Sequence, residues 1–136
     1  MAVKDIRSNL QERLAFFVDI TGDGANNGFA LDTADFELGL MFSVAVTSFG
    51  AGTFTLKFEQ ASDSGFTVDV SDITGDQLIG TIPTITATNL SGDILQTVGV
   101  ISNLRFVRAV VTASGASGNT IVVVTATQKA ENMPVT

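Results

Sequence analysis

Short runs of alternating apolar and polar residues, separated by clusters of Gly, Asn, Asp and Ser, fill most of this chain. In the clearest run, residues 36–47 (FELGLMFSVAVT), bulky apolar side chains stand at every second position with mostly small residues between them. A period of two places the bulky side chains on one face of a β-strand. Other runs with this pattern predict strands at residues 14–20, 53–60, 66–70, 77–85, 104–113 and 120–128.

The spacing of these runs predicts the fold class. About seven or eight strands, with turns roughly every ten residues, are typical of an all-β antiparallel sandwich or jelly roll, with a β-barrel as the alternative. Pro83 cannot donate a hydrogen bond to a neighbouring strand, so residues 77–85 should form an edge strand or an irregular one. Residues 114–119 (SGASGN) predict a hairpin loop between the last two strands.

The first fourteen residues have a different pattern, in which apolar residues recur at spacings of three and four. These apolar positions are Val3, Ile6, Leu10 and Leu14. The spacing predicts a short amphipathic helix or an extended arm, whose apolar stripe lies on its own sandwich or on a neighbouring subunit. The predicted organisation is an arm or short helix at residues 1–14, a β-sandwich domain at 15–128 and a C-terminal tail at 129–136.

The composition argues against an enzyme. The 136 residues include no His, Cys, Trp or Tyr, whereas catalysis near neutral pH most often uses a His or Cys. We therefore expect neither a catalytic residue nor a cofactor. No stretch approaches the roughly 20 apolar residues that a membrane-spanning helix needs, so we expect no membrane partner.

The charge is unevenly distributed along the chain. Residues 1–13 carry three basic and two acidic groups, a net of +1, and the other residues carry four basic and twelve acidic groups, a net of −8. These sum to the total of −7. An acidic body repels the phosphates of DNA and RNA, so we expect no nucleic acid partner.

One short motif, DITGD, occurs twice, at residues 19–23 and 72–76. Its carboxylates are the candidate metal ligands, and Ca²⁺ is the cation that such oxygen-rich loops favour. These candidates are Asp19, Asp23, Asp72 and Asp76. An EF-hand does not fit, because Ala30 and Pro83 stand at the twelfth positions, where a bidentate Glu belongs. Gly-Asp steps also suit turns between strands, and we favour that interpretation.

Four segments resemble a known family of virion proteins. They are residues 31–65, 76–81 (DQLIGT), 98–119 (VGVISNLRFVRAVVTASGASGN) and 131–135 (ENMPV). In these segments the chain resembles the head decoration, or capsid cement, proteins of tailed bacteriophages. The resemblance implies a β-sandwich or jelly roll that is made in the host cytoplasm, sits on the outer surface of the capsid and clamps neighbouring capsomers. The implied partners are the major capsid protein and further copies of the chain, as a dimer or trimer.

The N-terminal arm is the predicted contact with the capsid shell or with a neighbouring copy. The candidate contact residues are Val3, Ile6, Arg7, Leu10 and Arg13. The two arginines suit ion pairs, since a guanidinium binds a carboxylate with two hydrogen bonds. The weakly charged outer faces of residues 36–47 and 121–128 are further candidates for packing against copies of the chain. Two alternative functions remain: a structural component of a phage tail or fibre, and a small carbohydrate-binding β-sandwich module.

Overall fold

The structure, a computed structural model, describes residues 10–33, 40–86 and 95–129. These residues form eleven strands and a single 3-10 turn, Gly75–Gln77. The strands are β1 Leu10–Ile20, β2 Gly24–Asn27, β3 Leu31–Asp32, β4 Leu40–Ser48, β5 Ala51–Ala61, β6 Ser71–Asp72, β7 Leu78–Ile79, β8 Thr84–Ile85, β9 Leu95–Val100, β10 Phe106–Ser117 and β11 Thr120–Lys129.

The strands form two separate antiparallel sheets, which confirms the predicted all-β sandwich. Sheet 1 has the order β1-β11-β4-β9-β7, and sheet 2 has the order β2-β10-β5-β6, with β3 also beside β10 and β8 also beside β5. The pairs are nested along the chain: β1 with β11, β2 with β10, β4 with β9 and β5 with β6. A long hairpin rolled into two sheets gives this nesting, and the result is a jelly roll.

The core lies between the two sheets and is filled by the predicted alternating side chains. In β4 and β5 every second residue is buried, and the Phe42 and Phe58 rings meet with their centroids 4.4 Å apart. The largest fully buried side chains are Phe16, Phe42, Phe54, Phe58, Ile73, Ile85, Val44, Val46, Val98, Val100 and Val107. The period-two pattern therefore predicted the inward faces of β4 and β5 correctly.

Residues 10–14 belong to a strand, so of the two predicted forms, a short helix or an extended arm, this part of the N-terminal segment does not take the helical one. Leu10 pairs with Lys129, and the pairing of β1 with β11 continues to Ile20 and Thr120. A helix of about two turns is marginal on its own, whereas the strand gains a complete ladder of hydrogen bonds from β11. A β-bulge at Ala15 interrupts the register and disturbs the spacing of apolar residues. Residues 1–9, with Val3, Ile6 and Arg7, lie outside the described part of the chain.

The predicted hairpin at residues 114–119 is also wrong. β10 belongs to sheet 2 and β11 to sheet 1, so Gly118 and Asn119 carry the chain across the sandwich. The glycines serve the bend of the backbone, since Gly115 and Gly118 have φ angles of 66° and 70°. A second crossing, through Phe49 and Gly50, joins β4 of sheet 1 to β5 of sheet 2.

Residues 66–70 form a loop where the alternation predicted a strand. Phe66 and Asp69 have positive φ angles of 53° and 55°, which residues other than glycine rarely adopt and which lie outside the β region. The loop is built around Asp63, whose Oδ1 accepts hydrogen bonds from the backbone N–H groups of Thr67 and Val68 at 2.8 and 2.9 Å. These local hydrogen bonds replace those of a sheet.

Residues 77–85 are irregular, as Pro83 predicted. They contribute β7 to the edge of sheet 1 and β8 to sheet 2, each only two residues long. No run of alternating residues predicted β9, Leu95–Val100, which lies between β4 and β7. In the part of the chain that the structure describes, no helix has the length and apolar character to cross a membrane.

Candidate functional site

The outer surface of sheet 1 exposes apolar and small side chains across five strands. We call this surface the sheet 1 face. Its members point away from the core because their strand neighbours, such as Val122 and Val124 in β11, are fully buried on the other side. They are Leu14 and Phe17 of β1; Val123, Thr125, Thr127 and Ile121 of β11; Met41, Ser43 and Ala45 of β4; Thr97 and Gly99 of β9; and Ile79 of β7.

The strand register arranges these side chains in rows across the sheet. In one row Phe17 lies beside Val123, which lies beside Ala45. The next row contains Leu14, Thr125, Ser43 and Thr97. The row nearest the start of β4 contains Thr127, Met41, Gly99 and Ile79. Because neighbouring strands are about 4.8 Å apart, each row forms a continuous strip of surface.

The large exposed side chains of the face are Leu14 and Phe17 on β1, Met41 on the central strand β4 and Ile79 on β7. Leu14 and Phe17 project from the edge strand β1, and Phe17 is 55% exposed. Ile79, 63% exposed, lies over Gly99, where an added Cβ would be only 3.0 Å from the Ile79 Cβ. Ser43 and Ala45, the small residues of β4 on this face, lie across β11 from Leu14 and Phe17.

The charged positions of the sheet 1 face lie at its ends: Asp19 at one end, and at the other the strand register places Glu12 beside Thr127 and Lys129 beside Leu10. Among the side chains that the structure describes, Asp19 is the only charged one on this face. Asp19 stands at the far end of β1, and its Oδ2 accepts a hydrogen bond of 3.0 Å from Asn119 Nδ2. An apolar surface of this extent normally marks a site of interaction with another macromolecule.

The outer face of sheet 2 is different, because it carries a cluster of paired charges. Glu59 accepts from Arg108 at 2.8 Å and from Lys57 at 3.1 Å, and Lys57 also contacts Asp72 at 3.0 Å. The hydrogen bonds with Asp72 and Glu59 raise the pKa of Lys57 above its ordinary value. The Arg108 guanidinium also lies 4.2 Å from the centre of the Phe66 ring. These groups satisfy one another, so this face offers less apolar surface to a partner.

The DITGD motifs serve as turns at separate places in the fold. The Ile of each motif, Ile20 or Ile73, is buried in the core. Asp23 Oδ1 accepts a 2.7 Å hydrogen bond from the Ala116 N–H. Asp19, at the start of the same motif, accepts the hydrogen bond from Asn119 described above. Asp72 lies on sheet 2, paired with Glu59 and bonded to Lys57.

The four candidate metal ligands are therefore not brought together. Asp19 and Asp23 flank the turn from β1 to β2, whereas Asp72 and Asp76 flank the link from β6 to the 3-10 turn. Within residues 10–33, 40–86 and 95–129 no three acidic side chains meet in a group that holds a metal ion.

The predicted contact residues of the N-terminal arm are only partly described. Leu10 is the first residue of β1, and Arg13 lies half-buried in the same strand opposite Ala126. Val3, Ile6 and Arg7 lie outside the described residues, so the assignment of this segment to a capsid contact stays a prediction.

Sequence reasoning identified part of the sheet 1 face and missed its margins. The outer sides of β4 and β11 were predicted as packing surfaces, but Phe17 was not among the candidate contact residues. The adjacent pair Phe16 and Phe17 held the missing signal, since two consecutive residues of a strand point to opposite faces. Ile79 belongs to a strand of two residues, which is too short to show an alternation.

Comparisons with known proteins add little to this description. No family model matches the chain, and no curated protein matches it. Among solved structures, the VP2 subviral particle of infectious bursal disease virus is 12% identical, with a TM-score of 0.31 over 89% of this chain. The Gx strain of the same virus gives 13% identity and a TM-score of 0.31 over 90% of this chain. The chain spans only about two fifths of those proteins, 40% and 41% of their length.

Proposed function

We propose that this chain is a structural virion protein that binds the outer surface of a bacteriophage capsid and stabilises the contacts between capsomers. The observation that carries the proposal is the sheet 1 face, a wide surface of apolar and small side chains, whereas the opposite face of the sandwich carries a cluster of paired charges. Such a molecule is suited to assembly. The resemblance of four sequence segments to head decoration proteins supports the same role.

The proposed role needs binding surfaces and stability, and it involves no catalytic step and no cofactor. The absence of His and Cys from the chain is in keeping with this role. The proposed partners are the major capsid protein and other copies of the chain. Nucleic acid is excluded from the proposal because the net charge is −7. After synthesis in the host cytoplasm, the protein would take its place on the outside of the head.

The test uses phage heads assembled without this protein. Purified protein is added to the heads, and sedimentation gives the bound copy number while heating gives the temperature at which the heads rupture. We expect binding at a fixed stoichiometry and a higher rupture temperature. Binding without added heat resistance would contradict the stabilising role, and the absence of binding would contradict the proposal as a whole.

The same purified protein is used to test the two alternative functions. If the protein fails to bind heads but assembles with purified tails or fibres, the tail assignment replaces the capsid one. If it binds oligosaccharides as an isolated domain, the carbohydrate-binding assignment replaces it. Thr112→Glu, which adds a charge on the outer face of sheet 2 and leaves the sheet 1 face intact, should bind heads as the wild type does.

A further inference from the structure

We infer that Asn27 is a modification site, where the side-chain amide is lost by intramolecular deamidation, and that the closed sandwich suppresses this reaction until β2 separates from β10. The inference goes beyond the proposed function and does not depend on it. Asn27 and Gly28 form the only Asn-Gly step in the chain. They stand at the end of β2, an edge strand of sheet 2.

The fold requires glycine at position 28, because carbonyl groups of both sheets approach it. A Cβ built on Gly28 would meet the Ala15 oxygen of β1 and would lie 2.8 Å from the Ala109 oxygen of β10. Both oxygens are backbone atoms, which cannot rotate away as the end of a side chain can. A larger residue at this position would therefore force the two sheets apart. The packing of the sandwich thus leaves Asn27 followed by a residue with no side chain.

This dipeptide favours attack of the Gly28 backbone nitrogen on Cγ of Asn27. The nitrogen loses its proton, the new N–Cγ bond closes a five-membered succinimide ring, and the side-chain nitrogen leaves as ammonia. Water then opens the ring at either carbonyl and gives aspartate or isoaspartate. Glycine hinders ring closure least, since it has no Cβ and its backbone rotates most freely. Asn27 is exposed, so water has access to it.

The closed structure holds the reacting groups out of position. The Gly28 N–H donates to the Ala109 carbonyl at 2.7 Å, so the proton that must be lost is held in a hydrogen bond. Asn27 pairs with Val110 in the ladder between β2 and β10. Ring closure needs a rotation about the Asn27 Cα–C bond, and the hydrogen bonds of this ladder prevent that rotation. Deamidation must therefore wait until the segment opens.

β2 is suited to open without unfolding of the whole domain. It has four residues, lies at the edge of sheet 2 and is mostly exposed. Segments of this kind open at a lower free energy than the core strands. One side chain fastens its start, because Asp23 Oδ1 accepts a 2.7 Å hydrogen bond from the Ala116 N–H. The rate of deamidation therefore depends on this local opening.

Isoaspartate prevents the segment from closing again. The main chain of the product runs through the former side chain of Asn27, which adds one carbon to the backbone. The Gly28 N–H bonds to sheet 2 at 2.7 Å, and the Phe29 N–H bonds to the Ala15 carbonyl of sheet 1 at 2.9 Å. A longer backbone cannot keep both bonds, because they lie on consecutive residues. The reaction converts a transient opening into a permanent gap between the sheets at this edge.

Peptide mapping of the full chain by mass spectrometry tests the protection. Folded protein and protein in guanidinium chloride are incubated at the same pH and temperature, and replacement of the Asn27 amide by a hydroxyl is followed with time. The folded chain should react at least about tenfold more slowly, since its segment must first open. Asn27→Gln is the control, because its longer side chain closes a ring much less readily, and it should not react at this position even in denaturant. Equal rates in the folded and unfolded wild type would overturn the inference.

A matched pair of variants tests whether opening of β2 sets the rate. Asp23→Ala and Asp19→Ala each remove one exposed carboxylate that accepts one hydrogen bond, from the Ala116 N–H or from Asn119 Nδ2. Only Asp23 fastens the start of β2. Deamidation of the folded chain should therefore be several-fold faster in Asp23→Ala and unchanged in Asp19→Ala. Equal rates in the two variants would contradict control by the local opening.

Hydrogen exchange of the purified isoaspartyl protein tests the gap between the sheets. The amides of Gly28 and Phe29 should exchange at least about tenfold faster than in the unmodified chain. The amide of Val44, which lies between β11 and β9 in sheet 1, should be unchanged. Slow exchange at both Gly28 and Phe29 would show that the segment closes again and would overturn this part of the inference. These measurements use no phage heads, so their failure leaves the proposed function intact, and failure of head binding leaves the modification site intact.

Discussion

At the scale of single residues, one buried amide connects several segments of the sandwich. Gln60 of β5 is 6% exposed, and its Oε1 accepts hydrogen bonds from Gln77 Nε2, Ser102 Oγ and the Asn103 N–H at 2.9 to 3.2 Å. Its Nε2 donates to Ser71 Oγ at 3.2 Å. A buried polar group of this kind stabilises a fold only because its hydrogen bonds are made.

Gln60→Ala should therefore be strongly destabilising. It leaves the Asn103 N–H and the Gln77 amide without their shared acceptor, and we expect a loss of about 2 to 4 kcal/mol in the free energy of unfolding. Urea denaturation measures this loss of free energy of unfolding. Gln96→Ala is the matched control, because Gln96 is exposed and makes one long bond of 3.5 Å to the Thr81 carbonyl. The control should stay within about 0.5 kcal/mol of the wild type.

Asp63 gives the fold a pH dependence in acid. Its carboxylate accepts a hydrogen bond from Thr67 Oγ1 and further hydrogen bonds from the backbone N–H groups of Val68 and Thr67. These bonds lower its pKa below the ordinary 3.8. The associated stability is fully present above the unfolded-state pKa and is lost as the pH falls through the lower folded-state pKa. Thr67→Val removes the largest cause, so the Asp63 pKa should rise toward 3.8, as followed by carboxyl NMR titration.

The control for that titration is Thr53→Val, an exposed threonine on β5 that does not contact Asp63. An Asp63 pKa that is unchanged in Thr67→Val would contradict the assigned cause. An equal shift in Thr53→Val would show that the change is not local.

At the scale of elements, the two crossings between the sheets lie against each other. A Cβ built at Gly50, in the crossing from β4 to β5, would be 2.3 Å from the Ser117 carbonyl and 3.0 Å from the Asn119 nitrogen, at the crossing from β10 to β11. The Gly50 N–H donates to the Oγ1 of Thr120, which is fully buried, at 3.0 Å. The absence of a side chain at Gly50 lets the crossings pack directly.

Gly50→Ala should force these crossings apart. The clash is with backbone atoms, which cannot rotate away, so we expect a loss of about 2 to 4 kcal/mol in the free energy of unfolding. Gly22→Ala is the control, because no atom lies within 4 Å of its added Cβ. It should change stability by less than about 1 kcal/mol. Thermal unfolding compares the two, and equal effects would contradict the proposed role of Gly50.

The sequence predicted the long strands because burial repeats along each of them with period two. For β4, β5 and β11 this pattern was sufficient to assign the inward side. The pattern could not show which sheet a strand joins. A Gly-rich segment such as residues 114–119 suits a hairpin within one sheet as well as a crossing between two sheets. The Phe66 loop was mistaken for a strand since its phenylalanine and valines alternate, although the hydrogen bonds to Asp63 fix another conformation.

At the scale of the whole molecule, the candidate surface depends on sheet order, which no local pattern contains. The weakly charged outer sides of β4 and β11 were visible in the sequence, but only their adjacency in sheet 1 makes them one face. Phe17 and Ile79 complete it from strands at the two edges of that sheet. The ion pair of Arg105 with Asp32, with bonds of 2.9 and 2.8 Å, likewise joins residues that are far apart along the chain.

The capsid contact predicted for the N-terminal segment also belongs to this scale. Because β1 begins at Leu10, the deletion that tests it must end at residue 9 and leave the strand intact. Removing residues 1–9 deletes Arg7, Val3 and Ile6, and should weaken binding to heads at least tenfold without changing the thermal unfolding midpoint. The control removes residues 130–136, which follow Lys129, the partner of Leu10 in the sheet. Head binding that survives the first deletion would contradict the assignment.

The order of strands in sheet 1 has a consequence for folding while the protein is being synthesised. β11 is the last strand in the described chain, yet it lies between β1 and β4. While the ribosome is still making the chain, β1 has no neighbour within its sheet, and the apolar inner side of β4 lacks part of its cover. Folding must then wait until β11 is released, and pairings so distant in sequence form slowly, on the order of milliseconds to seconds. The nascent chain is therefore exposed to aggregation throughout its synthesis, and truncation before β11 should yield insoluble protein rather than a smaller domain.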